Sequence, residues 1–336
     1  MEDQNRSDIP VLWMAPFRGI THKAWRIAME QHIGGPDVYY APFISGTGPA
    51  KIHRDSLKDL LPKNALNSPL VPQVLSTSAE EIILLGNTLE AYGFTELNWN
   101  LGCPFARIAN KKRGCGMLPF PGLLDQILDK AFEQIRIKLS IKTRLGYHDP
   151  QEIAGALEVF NKYPIQHIIL HPRTGKQGYK GMADPMAYKT CLGLTRHKLI
   201  YNGDLFHRSQ YQKLQSLLPG QTTWMIGRGA LINPFLASEL KGIAVSDRDK
   251  RSRLEAFHDA LWQEASRLQK HETRALGSMK AIWYYLSGIF ANGKEVFTTI
   301  KRAKNRSAYF HATAVAMQQD FAGERQTEDY FKQLTT

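Results

Sequence analysis

The sequence predicts a (β/α)8 barrel, also called a TIM barrel, followed by a C-terminal all-helical domain. Eight short β-rich apolar runs recur along the first part of the 336-residue chain, and amphipathic segments with helical spacing lie between them. Strands that alternate with helices indicate βαβ units and a parallel sheet, and eight such units match a TIM barrel of about 250 residues. After Lys241 glycine and proline become rare, and helical periodicity takes over.

Each predicted strand is short and apolar and is followed by polar residues or glycine. The strands are Val11–Pro16, Val38–Ile44, Val71–Leu75, Glu96–Cys103, Leu139–Leu145, His167–Arg173, Lys198–Asp204 and Thr223–Leu231. Between them, Ala79–Tyr92 and Pro150–Tyr163 have the apolar spacing of helices. A doubly wound sheet is the alternative, but its usual Gly-rich dinucleotide turn is absent, because the first strand ends in Ala-Pro-Phe-Arg-Gly.

The C-terminal part contains two long helical patterns, Arg253–Gln269 and Arg274–Phe290. Val245–Asp249 precedes them and is interpreted as a hinge. We therefore predict two domains, a catalytic barrel over residues 1–244 and a helical domain over residues 249–336.

Composition indicates a cytoplasmic globular protein. No apolar run reaches the roughly 18 residues of a membrane helix, and the polar N-terminus lacks the apolar core of a secretory signal. Cys103, Cys115 and Cys191 are too few and too scattered for a disulfide framework or a zinc site, so we expect a reducing compartment and no metal. The formal net charge of +12 suits a polyanionic partner, with a solubilising surface charge as the alternative.

Polar residues cluster at the carboxyl ends of the predicted strands, where TIM barrels carry their active sites. These ends are Pro16–Gly19, Gln73, Asn100–Pro104, Lys142 with Arg144, His171 with Arg173, Asn202–Asp204 and Gly227–Gly229. Barrel packing prefers Val, Ile and Leu, so this clustering predicts an active site. The last two ends follow strands seven and eight, whose loops commonly bind phosphate, which favours a phosphorylated cofactor over two ordinary glycine turns.

Three of these residues suggest chemistry. An inward Lys142 needs an anion or an electron-rich ring, whereas an outward Lys142 would only cover a helix. His171 precedes a polar loop, which favours a site over a buried structural histidine. The glycine before Cys103 and the proline after it indicate a shaped loop that presents the thiol as nucleophile or general acid. The alternative is a small buried hydrophobic residue.

Six motifs, in this order and spacing, resemble those of the tRNA-dihydrouridine synthase family. They are Met14–Thr21, Asn100–Pro104, Lys142–Gly146, His171–Tyr179, Asn202–Asp204 and Met225–Leu231. The resemblance covers nearly the whole chain, and a barrel followed by helices is similar to that family's architecture.

The resemblance implies a tightly bound FMN, NADPH as its reductant, and reduction of the uridine C5–C6 double bond in tRNA. Hydride would pass from flavin N5 to uracil C6 while Cys103 donates a proton to C5, and Asn100 would orient the base. The residues implied to contact FMN are Pro16, Phe17, Arg18 and His171 beside the flavin, Gln73 and Lys142 on its ring, Asn202, Gly203 and Asp204 on the ribityl chain, and Gly227 and Arg228 on the phosphate.

The chain departs from the family pattern at several positions, which indicates a diverged branch. Ala106 stands where a lysine is common, and Arg107 is interpreted as its replacement. Asn98 takes the place of the usual aspartate, and Arg18 that of a small or acidic residue. Gly-Cys-Gly at 114–116 replaces Gly-Ser-Ala.

Basic residues in the tail extend the predicted RNA surface. On one continuous helix, the cations between Lys301 and Arg306 would occupy two neighbouring faces that can track phosphates. The aromatic residues of the tail could stack on bases, but their helical spacing favours the core; they are Trp283, Tyr284, Tyr285 and Tyr309. With the resemblance, this predicts tRNA as the partner of a monomeric protein. The residues predicted to contact it are Asn100, Arg107, Arg173, Lys301, Arg302, Lys304 and Arg306.

Two other functions are alternatives. One is a flavin-dependent reductase or dehydrogenase of a free pyrimidine such as dihydroorotate, which the basic charge and the helical tail disfavour. The other is a non-catalytic RNA-binding flavoprotein, which would not need Cys103, Lys142 and His171 together.

Overall fold

The computed structural model describes residues 9–45, 52, 57–62, 65–269 and 271–334. The strands are β1 (Val11–Met14), β2 (Val38–Tyr40), β3 (Leu70–Val71), β4 (Gln73–Val74), β5 (Glu96–Leu101), β6 (Lys138–Gly146), β7 (Ile168–Thr174), β8 (Leu199–Tyr201) and β9 (Thr223–Ile226). The helices are α1 (Lys23–Ala28), α2 (Ala79–Ala91), α3 (Ala106–Ala109), α4 (Pro121–Gln134), α5 (Glu152–Phe160), α6 (Pro185–Leu192), α7 (Arg208–Leu217), α8 (Arg228–Ile232), α9 (Leu236–Leu240), α10 (Asp247–Leu268), α11 (Glu272–Leu286), α12 (Gly293–Arg302), α13 (Arg306–Met317) and α14 (Glu324–Gln333).

These elements confirm the predicted fold class. The described strands belong to one parallel sheet of nine strands, helices alternate with them along the chain, and five helices from α10 onward form the C-terminal all-helical region. Every predicted strand overlaps an observed one. The third overlaps two, because Pro72 has no N–H for the ladder. Leu70 therefore pairs with β2, and Gln73 pairs with β5.

The chain folds into two compact units. The first comprises Met1–Asp37, Asp204–Ser216 and Ile226–Thr336, and the second comprises Val38–Gly203 and Leu217–Met225. The first unit thus contains β1 and the C-terminal helices. The predicted division between residues 244 and 249 separates a barrel from a helical domain, whereas these units are defined by compactness. The predicted division therefore stays a prediction.

The second unit contains the continuous ladder β4-β5-β6-β7-β8-β9 and the pair β2-β3. Along β5 the polar residues Glu96, Asn98 and Asn100 alternate with apolar ones, so they share one face of the strand. On the other face Trp99 is fully buried, as are its apolar neighbours on that strand. A strand buried on both faces is typical of a parallel barrel, and here one buried face is polar.

The first unit joins β1 to the C-terminal helices. β1 is held at both sides, because Ala15 N–H donates to the Ile226 carbonyl (2.9 Å) and Asp37 N–H donates to the Leu12 carbonyl (2.7 Å). The core of the helices contains Trp283 and Tyr309, both fully buried, and the indole N–H of Trp283 donates to the Tyr309 hydroxyl (3.0 Å). These two aromatic residues are core residues, as interpreted from their spacing, whereas Tyr284 is exposed and Tyr285 is half-buried, so the interpretation as core is wrong for Tyr284.

Two details of the helical part correct the sequence interpretation. Helix α10 begins at Asp247 because Ser246 caps it through Asp249 N–H (3.2 Å), so much of the predicted hinge is helical. The prediction that one continuous helix carries the cations between Lys301 and Arg306 is wrong. Helix α12 ends at Arg302, and Asn305 caps α13 by accepting from Ala308 N–H (2.9 Å). The basic residues therefore lie on two helices and the turn between them. Within the described ranges, none of the helices combines the length and apolar character that crossing a membrane requires.

Candidate active site

The end of β5 fixes the loop that carries Cys103. The Asn100 side chain accepts from Gly102 N–H and from Cys103 N–H, both at 3.0 Å, and donates through Nδ2 to Gln73 Oε1 at 2.7 Å. Asn100 is 8% exposed and Cys103 is 7% exposed, so the thiol lies just below the surface. Asn100 thus holds the backbone on both sides of the peptide that leads into Cys103.

A second cysteine closes the back of this loop. Cys115 N–H (3.3 Å) and its thiol (3.1 Å) both approach the Cys103 carbonyl. Gly114 permits this approach, since its φ is +57° and a Cβ there would lie 2.6 Å from that same carbonyl oxygen. Burial raises the pKa of Cys115 to about 12, against the opposing effect of Arg144. Cys115 therefore stays a neutral thiol. Among the described residues no group of three or more His, Cys, Asp or Glu side chains is arranged to hold a metal ion.

Lys142 lies beside Asn100 in the β5–β6 register. Desolvation lowers the pKa of Lys142 to about 7, and the positive charge of Arg144 on the same face adds to the effect. No carboxylate of the described residues forms an ion pair with it at 4 Å or less. An inward, desolvated ammonium of this kind suits an anion or an electron-rich ring.

Two arginines organise the loop after β7. Arg144 donates from Nε to the Gly102 carbonyl (3.0 Å) and from Nη1 to the Thr174 (2.9 Å) and Gly178 (2.7 Å) carbonyls, which ties this loop to the Cys103 loop. Arg173 lies 2.9 Å from His171, between Nη1 and Nε2. Arg173 is fully buried, so we propose that it positions His171 instead of meeting RNA as the sequence suggested.

The residues that follow β8 are held by hydrogen bonds and by close packing against Tyr201. Asn202 Nδ2 donates to the Met225 carbonyl (2.8 Å), and its N–H donates to the Leu170 carbonyl (3.0 Å). A side chain at Gly203 would collide with the ring of Tyr201. In the second unit, Asn100, Cys103 and Lys142 therefore lie towards the carboxyl ends of strands of the same sheet. Asn202 and Gly203 follow another strand of that sheet. Gln73 and His171 belong to the same set.

In the first unit Arg228, predicted to contact the phosphate, and Asp204, predicted to contact the ribityl chain, form a buried pair. Arg228 Nη2 lies 3.1 Å from Asp204 Oδ1, and both side chains are less than a tenth exposed. The Arg228 guanidinium also stacks 4.2 Å above the centre of the Phe331 ring in α14. The C-terminal helix thus contacts a predicted cofactor residue, a contact that no sequence motif signals.

The turn after β1 brings Phe17 near Gly227, the residue before Arg228. Thr21 Oγ1 accepts from Phe17 N–H at 2.7 Å, and the Phe17 ring lies 6.3 Å from that of Tyr285. A Cβ on Gly227 would lie 3.4 Å from Phe17 Cζ. Pro16 is half-buried, whereas Arg18 is exposed.

Replacement of Gly229 with alanine is expected to destabilise the protein by at least about 2 kcal/mol. A Cβ at this position would overlap the Leu205 carbonyl oxygen, a backbone atom that cannot turn away as a flexible side chain could. Gly277→Ala is the control, because that glycine lies in exposed helix with no atom near its Cβ position, and it should stabilise by about 0.5–1 kcal/mol. Urea unfolding of both variants measures the difference. An equal stability of the two would contradict the close approach.

Comparison with known proteins decides the family. The family model described as dihydrouridine synthase (Dus) matches residues 13–326. The chain belongs to the dihydrouridine synthase family. It is therefore an oxidoreductase, and the predicted resemblance is confirmed.

Two relatives of the chain carry names from this family. A probable tRNA-dihydrouridine synthase of Staphylococcus epidermidis is 27% identical over 241 residues, which cover 67% of this chain and 70% of the relative. tRNA-dihydrouridine synthase B of Pasteurella multocida is 24% identical over 237 residues, 70% of each chain. Among solved structures, histamine dehydrogenase from a Rhizobium species has a TM-score of 0.52 at 10% identity, over 81% of this chain and 49% of that one. The last match shows the fold alone.

The predicted RNA residues outside the core are accessible. Arg107 in α3 is exposed, as are Lys301 and Arg302 in the last turn of α12, Lys304 in the following turn and Arg306 at the start of α13. The sequence motifs assign no role to Glu96 and Ser140 and mark Asn98 only as a departure from the family pattern, yet hydrogen bonds through Gln73 connect all three to Asn100. The alternation of polar residues in β5 is the signal for Glu96 and Asn98, whereas Ser140 lies beside Asn98 through the β5–β6 register, which the sequence does not show.

Proposed function

We propose that the protein reduces uridine to dihydrouridine in tRNA, with FMN as prosthetic group, NADPH as reductant and Cys103 as proton donor. The observation that carries this proposal is the loop of Cys103, which Asn100 holds at the end of β5 beside the desolvated Lys142. The proposal extends to this chain the activity for which its two tRNA-dihydrouridine synthase relatives are named.

The described residues fit a flavin mononucleotide. In the second unit, the desolvated amine of Lys142 suits the electron-rich edge of the ring, and Gln73 and His171 offer polar groups beside it. The side chain of Asn202 and the backbone of Gly203 suit the ribityl hydroxyls. When bound, FMN supplies the hydride that the uracil receives.

In the first unit, Arg228 and the backbone of Gly227 suit the phosphate. Asp204 orients the guanidinium of Arg228 from the side (3.1 Å). Pro16, Phe17 and Arg18 are proposed to border the flavin. Arg228→Ala should then release flavin while Phe331 loses its stacking partner.

The chain's own part in the reaction is orientation and proton supply. We propose that Asn100 orients a uracil that has left its stack, and that the Cys103 thiol gives its proton to C5. The backbone N–H groups of Gly102 and Cys103 are engaged by Asn100 Oδ1, so the loop is fixed before the base arrives. Preorganisation of this kind lowers the cost of reaching the reactive geometry.

Absorption spectroscopy of the purified protein tests the proposal. We expect flavin bands that bleach with NADPH and return when unmodified tRNA is added without oxygen. Return of the bands with free uracil or orotate but not with tRNA would favour the free-pyrimidine alternative. Bleached bands that no pyrimidine restores would favour a non-catalytic flavoprotein.

Reversal of charge at the α12–α13 turn is expected to weaken tRNA binding. Lys301→Glu with Arg302→Glu removes two exposed cations, and each lost phosphate contact lowers the slope of log K against log salt by about 0.9. Binding measured over a salt series should show a shallower slope, while the flavin bands persist. The charge-matched control is Arg136→Glu with Lys189→Glu, both exposed, one between α4 and β6 and the other on α6. Equal affinity losses in the two double variants would remove this turn from the RNA surface.

A further inference from the structure

A row of buried polar side chains begins at Glu96, at the start of β5. Ser140 Oγ donates to Glu96 Oε1 at 2.6 Å, and Asn98 Nδ2 donates to Ser140 Oγ at 2.8 Å. Gln73 Nε2 then donates to Asn98 Oδ1 at 2.8 Å. The β-sheet register places Gln73, Asn98 and Ser140 side by side on three adjacent strands. All three are at most 1% exposed, so water does not compete for these bonds.

The row continues to the loop of the proposed proton donor. Asn100 Nδ2 donates to Gln73 Oε1 at 2.7 Å, and Asn100 Oδ1 accepts the N–H groups of Gly102 and Cys103 at 3.0 Å each. An unbroken series of hydrogen bonds therefore connects the Glu96 carboxylate to the Cys103 backbone. We define this series as the β5 relay: Glu96, Ser140, Asn98, Gln73 and Asn100.

Both ends of the β5 relay set the direction of every bond within it. An ionised carboxylate only accepts hydrogen bonds, and a backbone N–H only donates them, whereas an amide side chain can face either way. If the amides reversed, Asn100 Nδ2 would face the N–H of Cys103, donor against donor. Glu96 opposes that reversal, because Ser140 must give its only proton to the carboxylate and so must accept from Asn98.

Other groups also reach the Glu96 carboxylate. The Tyr40 hydroxyl lies 3.4 Å and His167 Nε2 lies 3.3 Å from the same Oε1. Burial lowers the pKa of His167 to about 4, with Lys198 adding to the effect. His167 is therefore neutral at physiological pH. Burial raises the pKa of the Glu96 carboxyl above its ordinary value, while the hydrogen bonds from Ser140 and Tyr40 oppose that shift and favour the carboxylate.

We propose that Glu96, Ser140 and Asn98 are positioning residues, which fix the direction of the Asn100 amide and thereby hold the Cys103 loop. This inference rests on the proposed function, since it supposes that Cys103 and Asn100 act on the uracil. None of the three reaches the substrate. They act through Gln73 and Asn100, the two residues of the β5 relay that lie between them and the Cys103 loop.

The β5 relay can stabilise only one carboxylate, because Ser140 has a single hydroxyl proton to donate. In an Asn98→Asp variant, two carboxylates on the same strand face would compete for the single Ser140 proton, and their repulsion would disturb the relay. Adding Glu96→Gln removes the second charge. The new amide at position 96 can then donate to Ser140, and Ser140 can donate to the new carboxylate at position 98, while the bonds of Gln73 and Asn100 keep their direction. The double variant should therefore rescue the single one.

The test measures two properties of the flavin-loaded enzyme. The first is the rate of alkylation of Cys103 by iodoacetamide, mapped by peptide mass spectrometry, with the more deeply buried Cys115 and Cys191 as internal references. The second is kcat and KM for dihydrouridine formation in tRNA. For Asn98→Asp we expect alkylation about fivefold faster and kcat about tenfold lower, with KM for tRNA unchanged, because the loop loosens and the RNA surface does not change. For Glu96→Gln/Asn98→Asp we expect both values within about twofold of wild type.

A second pair of variants covers the case in which Asn98→Asp fails to fold. Ser140→Ala removes the central hydroxyl and should loosen the loop in the same way, whereas Ser140→Thr keeps the hydroxyl and should preserve kcat. Equal alkylation rates and equal kcat in Ser140→Ala and Ser140→Thr, or in the single and double Asn98 variants, would overturn the proposal. If wild type makes no dihydrouridine, the proposed function fails, but the alkylation rates still decide whether the relay holds the loop.

Discussion

Replacement of Cys103 with alanine is expected to lower the rate of uridine reduction by about 10²- to 10⁴-fold, the usual contribution of a general acid. The substitution removes the thiol but leaves the backbone N–H that Asn100 binds, so the loop should keep its shape. Flavin content and the rate of flavin reduction by NADPH should therefore stay at the wild-type level. Reoxidation of the reduced flavin by tRNA under anaerobic conditions measures the chemical step directly.

Cys115→Ala is the matched control for this experiment. Cys115 contacts the Cys103 carbonyl and is fully buried, and its high pKa keeps it protonated at neutral pH. Its loss should lower stability slightly and leave the rate within a few fold of wild type. A fast Cys103→Ala enzyme, or a dead Cys115→Ala enzyme beside it, would show that the wrong thiol has been assigned.

Replacement of Lys142 with methionine should have two opposite effects. Activity should fall by about 10²- to 10³-fold, as for the loss of a preorganised electrostatic group. Without flavin, however, the variant should be more stable than wild type, because methionine fills a similar volume without a desolvated charge. Chemical denaturation of the flavin-free protein measures this gain.

The gain in stability should depend on pH with a defined sign. The pKa of Lys142 is about 7 in the folded protein and about 10.5 in the unfolded chain. Below pH 7 the folded wild type carries the buried charge, so the penalty is complete. Between pH 7 and 10.5 the unfolded chain binds more protons than the folded protein, so wild-type stability rises with pH. The advantage of Lys142→Met should thus be largest near pH 6 and vanish above pH 10.5.

Lys189→Met is the control for the lysine experiment, since Lys189 is exposed on α6. It should change neither activity nor the pH dependence of stability. A Lys142→Met protein that is less stable than wild type at pH 6, while Lys189→Met is neutral, would contradict a desolvation penalty at the Lys142 ammonium.

Local patterns predict much of this structure. Strands and helices alternate as the apolar periodicity indicates, and the polar strand ends coincide with a real cluster at Asn100, Cys103 and Lys142. The division of the third strand follows from one residue, Pro72, whose consequence for pairing depends on neighbours that are distant in sequence. The break between α12 and α13 depends on a cap, Asn305, that helical spacing alone does not show.

Burial of polar residues was harder to predict. Arg173 follows a site histidine in sequence, which suggested contact with RNA, yet its guanidinium points inward and bonds to His171 and the Gly181 carbonyl. The stacking of Phe331 on Arg228 joins residues far apart in the chain. Such contacts arise from tertiary packing, which no local pattern encodes.

The most direct test of the central claim is a mass measurement on the RNA. Unmodified tRNA is incubated with the flavin-loaded enzyme and NADPH, digested to nucleosides and fragments, and mapped by mass spectrometry. We expect one or more uridines to gain two hydrogens in wild type and to gain none in Cys103→Ala. Unchanged tRNA, in a reaction where the same enzyme and NADPH reduce free uracil or orotate, would contradict the claim.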